Sequence, residues 1–127
     1  MPDKEIVNPY GQFFSGEGVE IEMAIFNEKN ENGLQDVLLL FTGREAYTAG
    51  IDNKVIKYKA VPGGTGCDYL YEKDGKTLTR MISRSSYGSW TYFEVFLNNK
   101  TIKVSPDELR AKEVRPLHLL TAYKQGE

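Results

Sequence analysis

The chain has 127 residues, of which 40% are hydrophobic and 27% charged, a composition typical of one globular domain. Its longest wholly apolar run, residues 37–41, is too short to cross a bilayer. One cysteine and one histidine exclude an internal disulfide and the common histidine- or cysteine-rich metal centres. We therefore expect a single β-rich domain over residues 1–127, with no cofactor and no bound metal.

The formal net charge of −2 conceals an asymmetry along the chain. Residues 1–53 carry ten acidic and three basic side chains, a net charge of −7, whereas residues 54–127 carry a net charge of +5. A slightly acidic total argues against nucleic-acid binding, which usually needs a clustered basic excess. The asymmetry fits a fold whose two halves neutralise each other, and it also fits an acidic face that attracts a basic partner.

Hydrophobic patterning predicts three strands in the first half of the chain. Residues 19–26 alternate, with one apolar face and acidic side chains at the start of the other. Residues 36–42 are apolar on both faces, which predicts a strand covered on both sides. Residues 54–61 place Ile56, Tyr58 and Ala60 on one face, while residues 44–51 show no clear pattern.

Asp74-Gly75 is among the strongest signals for a two-residue hairpin turn. Continuous pairing from this turn places Tyr71 opposite Leu78 and Tyr69 opposite Arg80. Arg80 then lies on the more apolar face and points towards the interior, where a guanidinium needs a carboxylate or several acceptors. An internal salt bridge would satisfy it. So would a bound ligand, which makes Arg80, Tyr69 and Tyr71 the candidate site of a ligand-binding barrel.

Asn98-Asn99 predicts a second tight hairpin, between residues 90–97 and 100–105. Here Val95 faces Ile102 and Phe93 faces Val104, and all four side chains point into the core. The opposite face then carries Trp90, Tyr92, Phe96 and Lys103, and the loop before it adds Arg84 and Tyr87. Three aromatic residues outside the core predict either a cover supplied by the C-terminal segment or another strand layer, or a surface that contacts a partner.

The C-terminal segment contains one predicted helix. Ser105 followed by Pro106, Asp107 and Glu108 matches a capping box, so we expect a helix from Ser105 to about residue 112. Pro116 disfavours helical geometry in the residue before it. The alternation of residues 117–123 then favours a last strand over a second helix.

No residue pattern indicates a catalytic site. The glycine-rich residues 63–66 match no phosphate-binding motif, and Cys67 has no helix N-terminus to activate it. Glu20 and Glu22 lie two residues apart on one strand face, where they are candidates for attracting a basic partner.

These patterns predict an all-β, mainly antiparallel fold: a single β-sandwich or small β-barrel with one short C-terminal helix. The predicted function is a small soluble protein-binding module, in its narrowest form an inhibitor or immunity-type protein that blocks a basic partner. The alternative is a barrel that holds a small carboxylate or apolar molecule around Arg80. Residues 1–5 lack a basic and apolar leader pattern, so we expect a cytoplasmic protein without membrane contact.

Overall fold

The strands form a closed antiparallel barrel in which each strand pairs with the next and the eighth pairs with the first. The structure, a computed structural model, describes residues 6–63, 67–73, 76–86 and 90–125, but not the side chains of residues 73, 76–79, 83–86 and 90–91. The strands are β1 (Gln12–Gly16), β2 (Val19–Lys29), β3 (Gln35–Thr42), β4 (Val55–Pro62), β5 (Cys67–Lys73), β6 (Lys76–Ser86), β7 (Trp90–Leu97) and β8 (Lys100–Pro106). The helices are α1 (Arg44–Thr48), α2 (Glu108–Ala111) and α3 (Pro116–Gln125). The predicted fold class is confirmed, and the barrel is the architecture that forms.

Apolar side chains fill the interior of the barrel. Strand alternation sends every second residue inward, and the buried cluster draws on strands all around the barrel. Its largest fully buried members are Tyr58, Phe14, Phe41, Ile21, Met23, Leu39 and Met81. Ala46 of α1 joins the same cluster and is fully buried, with Ala49 and Ile51 packed beside it. Helix α1 and the turn after it therefore close one end of the barrel.

The two apolar faces of β3 are explained by a second core outside the barrel. Leu39 faces the interior, whereas Leu38 is buried between the strands and the C-terminal helix. Helix α3 packs against β2, β3 and β4 and buries Leu119 and Leu120 there. The predicted cover on both sides of this strand is confirmed.

The register predicted for the β7–β8 hairpin is also confirmed. Val95 pairs with Ile102 and Phe93 pairs with Val104. Asn98 and Asn99 have φ angles of 54° and 61°, the left-handed geometry that a tight hairpin turn of this type requires.

The register predicted for the β5–β6 hairpin is right only beside its turn. Glu72 pairs with Thr77, but a bulge follows, so that Tyr71 pairs with Thr79 and not with Leu78. Tyr69 consequently pairs with Met81, and Arg80 pairs with Leu70. Because one extra residue reverses the side of the sheet that each later side chain occupies, Met81 is the buried residue and Arg80 is exposed.

Two expectations for the C-terminal segment were wrong. The helix predicted from Ser105 begins two residues later, because Ser105 and Pro106 pair with β1 and close the barrel. Asp107 is the cap of α2, and its carboxylate accepts a hydrogen bond from the Arg110 amide at 3.1 Å. The strand predicted over residues 117–123 is the helix α3, which starts at Pro116, the position where proline suits a helix.

Candidate functional site

Two cation–aromatic pairs lie on the outer surface of β6, β7 and β8. The guanidinium carbon of Arg80 lies 4.5 Å from the centre of the Phe96 ring. The Lys103 ammonium lies 4.4 Å from the centre of the Tyr92 ring. Both rings are half-buried while both cations are exposed. We call Arg80, Tyr92, Phe96 and Lys103 the cation–aromatic face. The attraction within an exposed cation–aromatic pair is worth about 0.5–1 kcal/mol.

This face is not where the C-terminal helix lies. Helix α3 packs on β2, β3 and β4, whereas Tyr92 and Phe96 belong to β7. The sequence left open whether the tail would cover the aromatic residues, and the contacts now place the cations of Arg80 and Lys103 over them. The face therefore combines positive charge with aromatic surface.

The β6–β7 ladder of the described residues ends beside Arg80. Strands β6 and β7 pair from Ser86–Trp90 to Met81–Val95. From Arg80 back to Lys76, β6 pairs with β5 and not with β7 in the described residues. From Phe96 on to Leu97, β7 likewise pairs with β8 and not with β6. We call the gap between the two hairpins the notch.

An open cleft of about 720 Å³ occupies the notch and the adjoining end of the barrel. Three parts of the chain line it: Thr48, Ala49 and Ile51 at α1, Tyr71 and Arg80 on the β5–β6 hairpin, and residues 96–101 on the β7–β8 hairpin. Its volume lies in the range common for ligand sites. Arg80 and Phe96 thus belong both to the cation–aromatic face and to the cleft.

A buried carboxylate fastens α1 to the β7–β8 turn next to this region. Glu45 is 7% exposed, and its Oε2 lies 2.9 Å from Lys100 Nζ. Asn98 Nδ2 donates to the backbone oxygen of Glu45 at 3.0 Å and to its Oε1 at 3.1 Å. The hydrogen bond from Lys100 is the largest cause of the lowered pKa of the Glu45 carboxyl, followed by that from Asn98. Sequence reasoning missed this group, because residues 44–51 carry no periodic pattern.

The tyrosines proposed as ligand residues face inward, away from the outer side of β6. The Tyr69 ring lies 5.9 Å from Phe93 and the Tyr71 ring 5.7 Å from Tyr58, centre to centre. Burial raises the pKa of the Tyr69 phenol far above its usual range. Tyr71 lines the cleft together with Arg80, so the structure brings these two of the three residues together.

Of the two acidic side chains on β2 that were predicted to attract a partner, one forms a salt bridge within the protein. Glu20 forms a salt bridge with Arg110 of α2, whose guanidinium also lies 4.1 Å from the Phe13 ring. Glu22 lies on the same strand, opposite Phe13 in the β1–β2 register. Part of the negative charge predicted for this face is therefore neutralised by the C-terminal segment.

Three predicted contact residues lie wholly or partly outside the described residues. Tyr87 falls outside them, whereas the backbones of Arg84 and Trp90 are described and pair with Tyr92 and Ser86 across β6 and β7. The side chains of Arg84 and Trp90 are not described.

The described residues contain no group of three histidine, cysteine or acidic side chains positioned to hold a metal ion. Burial raises the pKa of the Cys67 thiol, whose Sγ lies 3.6 Å from the Asp68 backbone oxygen. His118 is exposed on α3.

Among all the described residues, no helix is both long enough and apolar enough to cross a membrane.

The chain matches no protein-family model, no curated protein and no solved structure.

Proposed function

We propose that this barrel is a small protein-binding module that contacts its partner through the cation–aromatic face. The observation that carries this proposal is the pairing of Arg80 with Phe96 and of Lys103 with Tyr92 on a sheet surface away from α3. Arginine and tyrosine are among the residues that dominate binding energy at protein interfaces. A cation held over a ring is also partly ordered before binding, which reduces the entropy lost when a partner docks.

The narrower form of this proposal is an inhibitor or immunity-type protein that blocks a basic partner in the cytoplasm. The net charge of −7 over residues 1–53 supports attraction of a basic surface. Because Glu20 is already held by Arg110, the charge available on β2 for that attraction is reduced.

The second candidate function, binding of a small carboxylate or apolar molecule around Arg80, is favoured by the cleft of about 720 Å³. The filled interior limits this candidate to the cleft, since Tyr58, Phe41 and Met81 occupy the middle of the barrel. A ligand there would meet the Arg80 guanidinium and the Tyr71 ring at the barrel rim.

The test of the protein-binding proposal is capture from native lysate on immobilised protein, compared among matched variants. Wild type, Phe96→Ala, Tyr92→Ala and Tyr10→Ala are used, with circular dichroism to check that each is folded. Tyr10 is 81% exposed and lies in the segment before β1, so it is the control aromatic residue. The proposal expects a protein retained by wild type and Tyr10→Ala but lost from Phe96→Ala and Tyr92→Ala. Equal capture by all four variants would contradict it.

A further inference from the structure

We propose that the notch binds an extended, acidic segment of the partner protein and that Arg80 binds a carboxylate of that segment. This inference rests on the proposed protein-binding function, not on its narrower basic-partner form, and adds to it the chemistry of the contacting segment.

The first support is the state of the Arg80 guanidinium. It lies over the Phe96 ring, and within the described residues no carboxylate forms a salt bridge with it. A guanidinium held over a ring still has N–H groups that can bind the two oxygens of a carboxylate. Arg80 can therefore bind an anion that the described chain does not supply.

The second support is the charge balance of the cleft. The other cation of its lining, Lys100, is already neutralised by the buried carboxylate of Glu45. Asn99 and Thr101 add polar side chains without charge. The lining contains no acidic residue among those described, so the unmatched charge at the notch is positive. An acidic occupant is the complementary one.

The third support is the main-chain geometry of the notch. Residues 76–80 of β6 and residues 96–97 of β7 lie outside the β6–β7 ladder of the described chain, so two strand edges face the gap. An extended peptide adds to such an edge through main-chain hydrogen bonds, and its alternate side chains point to one side. An acidic side chain on that peptide would then reach the Arg80 guanidinium from the cleft, beside the Phe96 ring that the guanidinium already contacts.

The experiment is selection from a random 12-residue peptide library displayed on phage, using the folded full-length protein as bait. Wild type, Arg80→Gln and Arg80→Lys are compared with Arg115→Gln, which removes an exposed arginine beside α3. Wild type should select peptides enriched in Asp and Glu. Affinity for a selected synthetic peptide should fall about ten- to one-hundredfold in Arg80→Gln, because a hydrogen-bonded charge pair is lost. It should fall less in Arg80→Lys and stay unchanged in Arg115→Gln.

Backbone amide shifts measured by nuclear magnetic resonance then locate the bound peptide. Shifts at Arg80, Phe96 and Leu97 support the notch. The inference is overturned by peptides without acidic enrichment, by no selected peptide, or by acidic peptides that bind Arg80→Gln as tightly as wild type. It is also overturned if succinate alone binds at Arg80 as tightly as any selected peptide, since the site would then serve a small carboxylate. Loss of lysate capture in Phe96→Ala and Tyr92→Ala would still support the protein-binding function in each case.

Discussion

Lys100 Nζ lies 2.9 Å from Oε2 of Glu45, and this contact joins the helix that closes the barrel to the turn between its last two strands. The carboxylate is almost fully buried and also accepts a hydrogen bond from Asn98. A buried charge is tolerated when it is paired and hydrogen-bonded in this way. Since Asn98 and Lys100 also line the cleft, the same contact shapes one wall of the candidate site.

Replacing Glu45 by glutamine should lower the melting temperature by several degrees at pH 7. The amide still accepts a hydrogen bond but loses its charge, which leaves the Lys100 ammonium without its partner. Thermal unfolding followed by circular dichroism measures the effect. Glu28→Gln, at an exposed position of β2, is the control and should leave the melting temperature unchanged. Equal melting temperatures for both variants would show that the Glu45 contact does not stabilise the fold.

The contribution of Glu45 to stability should depend on pH in a defined direction. Hydrogen bonds from Lys100 and Asn98 lower the pKa of the folded carboxyl from its ordinary value of 4.5. A carboxyl with a lowered folded pKa stabilises the protein fully above its unfolded pKa and loses that effect as pH falls through the folded pKa. The difference in unfolding free energy between wild type and Glu45→Gln should therefore be constant near neutrality and shrink below about pH 4.5. Urea titrations at several pH values measure it, and a difference that grows towards acid would contradict the assignment.

The parts of the fold that were predictable from sequence depend on local signals. The Asn98-Asn99 turn fixes the register of β7 and β8, because both asparagines tolerate left-handed geometry and the apolar alternation around them is regular. The two-sided apolar pattern of residues 36–42 likewise reveals a strand with cover on both faces.

The errors arise where distant contacts decide between two local patterns. The alternation of β6 allows two inward-facing sets, Leu78 with Arg80 or Thr79 with Met81. The bulge that turns Met81 inward has no recognisable signal in the sequence. Ser105 and Pro106 resemble a helix start, yet pairing with β1 is required to close the barrel. The cation–aromatic pair of Arg80 with Phe96 follows from that bulge, so it was not predictable from the hairpin signal alone.

Leu39→Ala should lower the unfolding free energy by about 2–5 kcal/mol, because it removes buried methyl groups from a filled interior and leaves a cavity. Leu39 is fully buried in the interior cluster. The matched control is Leu109→Ala, since Leu109 is 78% exposed on α2, and its effect should stay within about 0.5 kcal/mol. Chemical denaturation of both variants gives the two values. A small effect at Leu39 would mean that the interior is not packed as described.

The Cys67 thiol should react slowly with iodoacetamide in the folded protein. Burial is the main cause of its raised pKa, so the thiolate fraction near neutral pH is reduced. The midpoint of alkylation rate against pH should lie above the ordinary thiol value of 9.0. The same protein unfolded in guanidinium chloride is the control and should show the ordinary midpoint. Equal midpoints in the two states would remove burial as the cause.

Trp90→Ala should weaken partner capture while leaving the domain folded. Trp90 begins β7, and strand alternation relates it to Tyr92 and Phe96 of the cation–aromatic face. If its side chain acts in binding, its removal takes away contact area without opening the filled interior, so the melting temperature should change by only a few degrees. Capture from lysate and thermal unfolding are measured on the same preparation, with Tyr10→Ala as the control. A loss of several kcal/mol in stability would identify Trp90 as a core residue and limit the binding surface to the residues around Arg80 and Lys103.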